Sequence, residues 1–85
     1  MRVAIKKFGK LLISRPAGHE AFLAFCSIYK LNDPQEPIEI DFTDVNVLAP
    51  SWADEFISNM RNKFPNPVIF LPSSNVSVTE SLKFV

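Results

Sequence analysis

The chain has 85 residues, 47% of them hydrophobic, and its nine basic and nine acidic side chains give a formal net charge of zero. This composition indicates one small globular domain, and the balanced charge argues against a dedicated nucleic-acid-binding protein. A single cysteine excludes an internal disulfide framework and a cysteine-based zinc site. Since no apolar run is long enough to span a membrane and no signal peptide opens the chain, we expect no membrane association and a cytoplasmic protein.

The first third of the chain predicts two short strands and a helix. Val3 and Ile5 alternate with less apolar neighbours and predict the first strand. The apolar run 11–13 predicts a second, buried strand that pairs back as a hairpin across Gly9 and Lys10. Residues 17–31 predict a helix whose apolar face covers roughly 200° of arc. So wide a face indicates either deep burial or an interface, and a homodimer formed through this helix is one alternative.

Residues 37–64 predict the strand, loop and amphipathic helix around which the domain is organised. In the strand, apolar and acidic residues alternate: Ile38, Glu39, Ile40, Asp41 and Phe42. The loop 43–49 contains enough apolar residues for part of it to lie in the core. The helix begins near Pro50 and Ser51, and Pro65 ends it.

The last segment predicts a strand and a short final element. Residues 68–71 form a continuous apolar run, typical of a strand covered on both faces. Residues 72–75 form a turn, and Ser77 with Glu80 fits a capping box for a last helix. An edge strand over the same residues is the alternative. The predicted order is β(β)αβαβα in a single α/β domain of residues 1–85, with a mainly parallel or mixed four-stranded sheet.

Charges are distributed unevenly along the sequence. Residues 1–15 carry five basic residues and no acid, whereas residues 31–55 carry seven acids and no base. We expect the N-terminal strand to lie beside the strand 38–42, so that the two sets neutralise each other.

In a parallel sheet the carboxyl ends of the strands and the starts of the following helices share one edge, where ligands and partners usually bind. We call this edge the rim. The candidate binding residues on it are Arg15, Asp44, Ser51, Trp52 and Ser73.

No arrangement of residues indicates an enzyme, and we predict no metal site and no cofactor. His19 is the only histidine, and a lone surface histidine is usually solvated rather than catalytic. Asp41 and Asp44 are the only close acidic pair near a strand end, and Asp44 is expected to satisfy backbone groups of the turn. Gly9 and Gly18 are too far apart for a phosphate-binding loop.

Ser51 has two interpretations. The sequence Ser51-Trp52-Ala53-Asp54 predicts a helix N-cap with an acidic residue three positions later. A phosphate on the same serine would meet free backbone N–H groups and the positive end of the helix dipole. The two roles are compatible.

Residues 41–56 resemble the core of the STAS domain, the sulfate transporter and anti-sigma factor antagonist family. The stretch Asp41-Phe42-Thr43-Asp44-Val45 and the later Ser51-Trp52-Ala53-Asp54-Glu55 are similar to the bacterial STAS-like subgroup of uncharacterised function, as are Phe8-Gly9 and Ser14-Arg15. In anti-sigma factor antagonists this region ends in Asp-Ser-Ser-Gly, whose second serine is phosphorylated. Ser51 aligns with that serine, whereas Ala49, Pro50 and Trp52 replace the other three residues.

The resemblance implies a sheet with surrounding helices and a non-enzymatic regulatory module in bacterial signalling. It implies a protein partner, such as a kinase-type ATPase or an anti-sigma-like protein, and regulation by phosphorylation of Ser51. The alternative is a domain that senses a small molecule or nucleotide at the same rim, through Arg15, the loop amides and Trp52.

Overall fold

Five short strands, all paired in parallel, form two separate sheets in the computed structural model, which describes all 85 residues. The first sheet has the order β1-β3-β5 and the second pairs β2 with β4. The parallel pairing agrees with the predicted alternation of strands and helices. The strands are β1 (Arg2–Ala4), β2 (Leu11–Leu12), β3 (Ile38–Asp41), β4 (Val47–Leu48) and β5 (Val68–Phe70).

The predicted four-stranded sheet with an N-terminal hairpin is wrong. Residues Ile5–Phe8 form a 3₁₀ turn, and Gly9 follows with a φ of 127°, a conformation that favours glycine. The chain therefore leaves the first sheet before Leu11, which pairs with Val47 instead of with β1. The partner strand β4 lies inside the segment predicted to be a loop. Two-residue strands are too short for a periodic pattern to reveal them.

Three helices follow the strands: α1 (Arg15–Ile28), α2 (Pro50–Lys63) and α3 (Val76–Ser81). Helix α1 begins two residues earlier than predicted because Ser14 caps it, with the Ser14 hydroxyl accepting a hydrogen bond from the Ala17 N–H at 3.1 Å. Helix α2 begins at Pro50 and ends before Pro65, as predicted. None of these helices has both the length and the apolar composition needed to cross a membrane.

The last element is a helix, and its cap is Asn75 instead of Ser77. The Asn75 side chain accepts a hydrogen bond from the Ser77 N–H at 2.9 Å and donates to the carbonyl oxygens of Val45 and Asn46 at 2.9 Å each. One side chain thus joins the start of α3 to the segment that leads into β4. Because Asn75 bonds to residues 30 and 29 positions earlier in the sequence, a capping pattern within the last segment does not reveal this role.

We expect Asn75→Ala to lower the free energy of unfolding by about 1–3 kcal/mol, since it removes a helix cap and leaves two carbonyl groups without their donor. Urea denaturation measures the loss. The control variant Asn75→Asp retains the capping oxygen but not the two amide donors, so we expect it to be intermediate. A wild-type midpoint for Asn75→Ala would contradict this role.

Seventeen buried hydrophobic residues form a single core, and α2 supplies the largest share of it. Phe56 lies at its centre, with the rings of Trp52, Phe8 and Phe25 at centroid distances of 4.9, 5.7 and 6.1 Å. The α2 residues in the core are Trp52, Ala53, Phe56, Ile57 and Met60. The predicted apolar face of α2 is therefore its buried face.

Only one face of the three-stranded sheet is covered. Val3, Ile38 and Ile40 are fully buried on the inner face, whereas Ile69 on the outer face is 44% exposed. The prediction that the last strand is covered on both faces is therefore wrong: β5 is an edge strand, and its continuous apolar sequence does not report its environment.

The expected neutralisation of the two charged segments is confirmed. Because β1 pairs with β3, the Arg2 Nε lies 3.6 Å from an Asp41 oxygen, and the Lys6 Nζ lies 3.2 Å from an Asp44 oxygen just beyond the strand ends. Such exposed pairs each contribute little to stability. They join two of the five basic residues of the first segment to two of the seven acidic residues of the second.

Candidate functional site

The structure divides the predicted rim between two surfaces and the core. Arg15 and Ser51 lie where α1 and α2 begin, and Asp44 and Ser73 line a cleft at the carboxyl ends of β3 and β5. Trp52 lies in the core with 1% of its surface exposed. No hydrogen bond or ion pair joins the two surfaces through these residues. We call them the α1–α2 surface and the β3–β5 cleft.

Ser51 is the second residue of α2, so its predicted role as N-cap is wrong. Ala49 occupies the cap position without a side-chain hydrogen bond, because Pro50, with its fixed φ and missing N–H, suits the first helical position. The Ser51 hydroxyl instead donates to the carbonyl oxygen of Ile13 at 3.3 Å. Its side chain therefore joins the start of α2 to the end of the β2 segment.

Arg15 connects the start of α1 to the first turns of α2. One guanidinium nitrogen donates to Asp54 Oδ2 at 2.8 Å and to Glu55 Oε1 at 3.3 Å. His19 Nδ1 lies 3.3 Å from the other Glu55 oxygen, which also accepts from the Asn59 amide at 2.9 Å. The predicted rim residue Arg15 is thus already paired with two carboxylates.

These contacts shift the acid–base properties of the cluster. The hydrogen bond from Arg15, followed by that from Ser58, lowers the pKa of Asp54 below its usual value. The Asn59 amide is the main cause of the lowered pKa of Glu55, with smaller contributions from Arg15 and His19. The two carboxylates correspondingly raise the pKa of Arg15. All three groups are stabilised in their charged forms.

We expect acid to destabilise the domain through Asp54 and Glu55. Because their pKa values are lower in the folded state than in the unfolded state, their stabilising effect is complete above the unfolded values and is lost as the pH falls through the folded ones. Urea midpoints measured from about pH 7 to pH 3 should fall below about pH 5. Arg15→Ala should reduce this dependence, whereas Lys83→Ala, which removes a cation that contacts neither group, should not; equal profiles for both variants would contradict the assignment.

Trp52 does not present its ring to the rim. The indole is stacked on Phe56 with a centroid distance of 4.9 Å and an interplanar angle of 15°. Its predicted role as a partner- or ligand-contacting residue requires an exposed ring, so the burial contradicts that role. The indole therefore belongs to the buried side of the amphipathic helix predicted for this segment.

The β3–β5 cleft has a volume of about 320 Å³ and a mainly polar lining. Next to the lining residue Thr43, Asp41 accepts hydrogen bonds from the Thr43 hydroxyl at 2.6 Å and the Thr43 N–H at 3.0 Å, which lower the pKa of Asp41. Asp41 therefore satisfies the turn backbone, the role predicted for Asp44. Asp44 adopts a left-handed φ of 68° and pairs with Lys6. The lining residues are Phe42, Thr43, Asp44, Val45, Pro72, Ser73, Ser74 and Asn75.

Sequence reasoning missed an exposed apolar patch beside Ser51. Leu11 and Val47 are register partners on the outer face of the small sheet and are 65% and 40% exposed, and Ile13, two residues after Leu11, is 60% exposed. The prediction of a buried run 11–13 holds only for Leu12. We call Leu11, Ile13 and Val47 the apolar patch. The one sequence signal for this patch is that Leu11 and Ile13 lie on the same face of a strand, opposite to Leu12. This alternation does not show which of the two faces is buried.

Residues 26–71 match a family described as a STAS-like domain of unknown function (DUF4325). The match covers more than half of the chain, from the end of α1 through β3, β4 and α2 to the end of β5, and includes Asp44, Ser51 and Trp52. No curated protein and no solved structure is significantly similar to the chain. The parallel α/β arrangement and the matched central segment agree, and the chain belongs to the family of STAS-like domains of unknown function.

Proposed function

We propose that the domain is a non-enzymatic regulatory module that docks a protein partner through the apolar patch and the adjoining start of α2. The observation that carries the proposal is the contiguity of three exposed large apolar side chains with Ser51, through the hydrogen bond from Ser51 to Ile13. Soluble domains rarely leave contiguous apolar side chains in water without a partner. A kinase-type ATPase or an anti-sigma-like protein is the partner class implied by the STAS resemblance.

Phosphorylation of Ser51 is proposed as the switch. At the second position of α2, the backbone N–H groups of Ser51 and Trp52 have no acceptor one turn earlier in the helix, and no side chain caps this end. A phosphate there would accept from these groups and would lie on the same helix face as Asp54 and Glu55, three and four residues later. It would therefore compete with both carboxylates for Arg15 and would break the hydrogen bond to Ile13.

Affinity capture from cells that express the protein tests the docking surface. We expect wild type to recover a defined partner, and Leu11→Glu combined with Val47→Glu to lose it. Ile69→Glu is the matched control, because Ile69 is a similarly exposed apolar strand residue on the other sheet. Retention of the same partner by the Leu11 and Val47 variant would contradict the proposal, as would its loss with Ile69→Glu alone.

A purified partner then allows a test of the switch. Ser51→Glu places negative charge beside the patch, and we expect it to weaken partner binding at least tenfold, whereas Ser51→Ala should change the affinity little. Isothermal titration calorimetry measures both. Equal affinities for the two variants would contradict the proposed switch but not the proposed docking surface.

A second candidate function, small-molecule sensing, rests on the β3–β5 cleft. Its hydroxyl groups and single carboxylate suit a neutral polar molecule better than a nucleotide, because the one nearby cation, Lys6, is paired with Asp44 and Arg15 lies on the other surface. Because Trp52 is buried, its fluorescence is a poor probe of this cleft. Thermal shifts with neutral polar metabolites, compared between wild type and Ser73→Leu, test the idea, and identical melting temperatures throughout would contradict it.

A further inference from the structure

We infer that the partner presents an extended segment, which adds a third strand to the small sheet beside β2. The inference rests on the docking surface proposed above and states which kind of segment fits it. The edge of β2 that faces away from β4 has no strand beside it, and the apolar patch lies on the adjoining face of the sheet. We call this edge, formed by the backbone of Leu11 and Ile13, the free edge. Its occupant is an extended segment of another protein, with apolar residues at alternate positions and an acidic residue at one end.

The hydrogen bonds of β2 show which backbone groups are free. The carbonyl oxygens of Lys10 and Leu12 accept from backbone N–H groups of β4 and the residue after it, at 3.1 and 2.8 Å. Since successive residues of a strand direct their backbone groups to opposite edges, the N–H and carbonyl groups of Leu11 point away from β4, as does the N–H of Ile13. The only side-chain hydrogen bond to residues 10–13 goes to the Ile13 carbonyl oxygen. Two donors and one acceptor are therefore available to an extended backbone.

The opposite edge of the small sheet is covered by α3. The Leu48 N–H donates to the Ser77 hydroxyl at 3.2 Å, and the Ser81 hydroxyl donates to the Leu48 carbonyl oxygen at 2.5 Å. Proteins commonly cover the edges of their sheets, because unpaired backbone groups there pair with other chains. The free edge has no such cover, since residues 10–15 are exposed except for Leu12. The small sheet can therefore be extended only beside β2.

The apolar patch fits the side chains of an added strand. Leu11 and Ile13 lie on one face of β2, and side chains that share a face on neighbouring strands contact each other. Apolar residues at alternate positions of the segment would therefore cover both. In recognition by strand addition, main-chain hydrogen bonds supply affinity and alternate side chains supply specificity. The free edge and the apolar patch provide these two parts side by side.

The charges near β2 favour another protein over a second copy of this chain. Residues 6–15 contain four basic residues and no acid, so two copies paired through their free edges would bring like charges together. Lys10 directly precedes β2, is exposed and forms no ion pair within the chain. An acidic residue of the partner beside Lys10 would supply the missing charge. The segment that fits therefore carries an acidic residue at the end next to Lys10.

Selection from a phage-displayed library of random dodecapeptides tests which segment binds. We expect the wild-type domain to enrich peptides in which apolar residues alternate with other residues and which carry an acidic residue. The tightest of these, made synthetically, is added to the isotope-labelled domain, and amide hydrogen exchange is followed by NMR. The Leu11 amide should exchange at least tenfold more slowly in the complex, because the peptide backbone accepts its hydrogen bond.

The Phe70 amide is the matched control for this measurement. The N–H of the next residue, Leu71, donates to the Ile40 carbonyl oxygen of β3 at 2.9 Å, so the Phe70 N–H points outward from the edge of β5. Its exchange rate should not change. Protection of both amides to the same extent would show a general stabilisation of the domain instead of strand addition and would contradict the inference.

Charge reversal tests the acidic end of the segment. Lys10→Glu should weaken binding of the selected peptide at least tenfold, whereas Lys30→Glu, at an exposed residue beyond the end of α1, should not. Circular dichroism melting verifies that both variants are folded. Equal affinities of the two variants for the peptide would contradict the role of Lys10.

Two further results would overturn the inference without contradicting the docking surface. One is a library that enriches no peptide or only peptides without alternation. The other is a peptide whose binding is lost with Leu11→Glu and Val47→Glu but which does not slow exchange of the Leu11 amide. By contrast, a cellular partner that still binds this double variant would contradict the docking surface, and the inference with it.

Discussion

Trp52→Ala is expected to lower the free energy of unfolding by about 3–5 kcal/mol, which is the usual cost of removing a buried large aromatic side chain. The indole is 1% exposed and stacked on Phe56, whose ring also contacts Phe8 and Phe25. The resulting cavity therefore lies at the centre of the core. For a chain of 85 residues the total stability is about 4–13 kcal/mol, so this variant loses a large fraction of it. Urea denaturation followed by circular dichroism measures the effect.

Two control variants separate the packing of Trp52 from a binding role. Trp52→Phe keeps an aromatic ring against Phe56, and we expect it to cost less than Trp52→Ala and to leave partner affinity unchanged. Asn62→Ala changes an exposed residue of the same helix and should have almost no effect. If a stable Trp52→Phe variant no longer bound the partner, Trp52 would have a role in binding, which would contradict its assignment to the core.

Gly18→Ala is expected to destabilise the domain by about 1–3 kcal/mol, although alanine is the better helix former. A methyl group at position 18 would lie 2.8 Å from the carbonyl oxygen of Trp52 and 3.2 Å from the Glu55 Cβ. The first of these atoms belongs to the backbone of α2, so it can move away only if the two helices separate. Such a separation would also lengthen the contacts from Arg15 to Asp54 and Glu55. Thermal and urea denaturation measure the loss.

An exposed position on the same helix supplies the matched comparison. At Ser27, which faces solvent, alanine should be more stabilising than glycine by about 1 kcal/mol, as intrinsic helix propensity predicts. At position 18 the order should be reversed. If alanine were preferred at both positions, the close approach of α1 to α2 would not constrain residue 18.

Local patterns were sufficient where several residues in succession carried the signal. The alternation over residues 38–42 identified β3 and its buried face, and the apolar arc of α2 identified the side of that helix that packs in the core. Pro50 and Pro65 act on their own backbone segments, so the bounds of α2 were correct. The opposite charges of residues 1–15 and 31–55 correctly indicated that β1 lies beside β3.

The errors arose where a residue's partner is distant in sequence. Ser51 and Asn75 have the same local capping chemistry, but one hydroxyl bonds to Ile13, 38 residues away, and one amide bonds to Val45, 30 residues away. Arg15 likewise pairs with Asp54 because α1 packs on α2. This pairing means that Arg15 is not a free cation at the rim. No local pattern contains that information.

The α/β class, the helix α2 and the resemblance to STAS domains could be predicted from the sequence, because each is carried by runs of successive residues. The tertiary structure alone decided that the strands form two sheets, that Trp52 lies in the core, and that the apolar patch adjoins Ser51. The physical reason is that strand partners, burial and side-chain hydrogen bonds are properties of pairs of segments. They are fixed only when α1, α2 and the two sheets pack together.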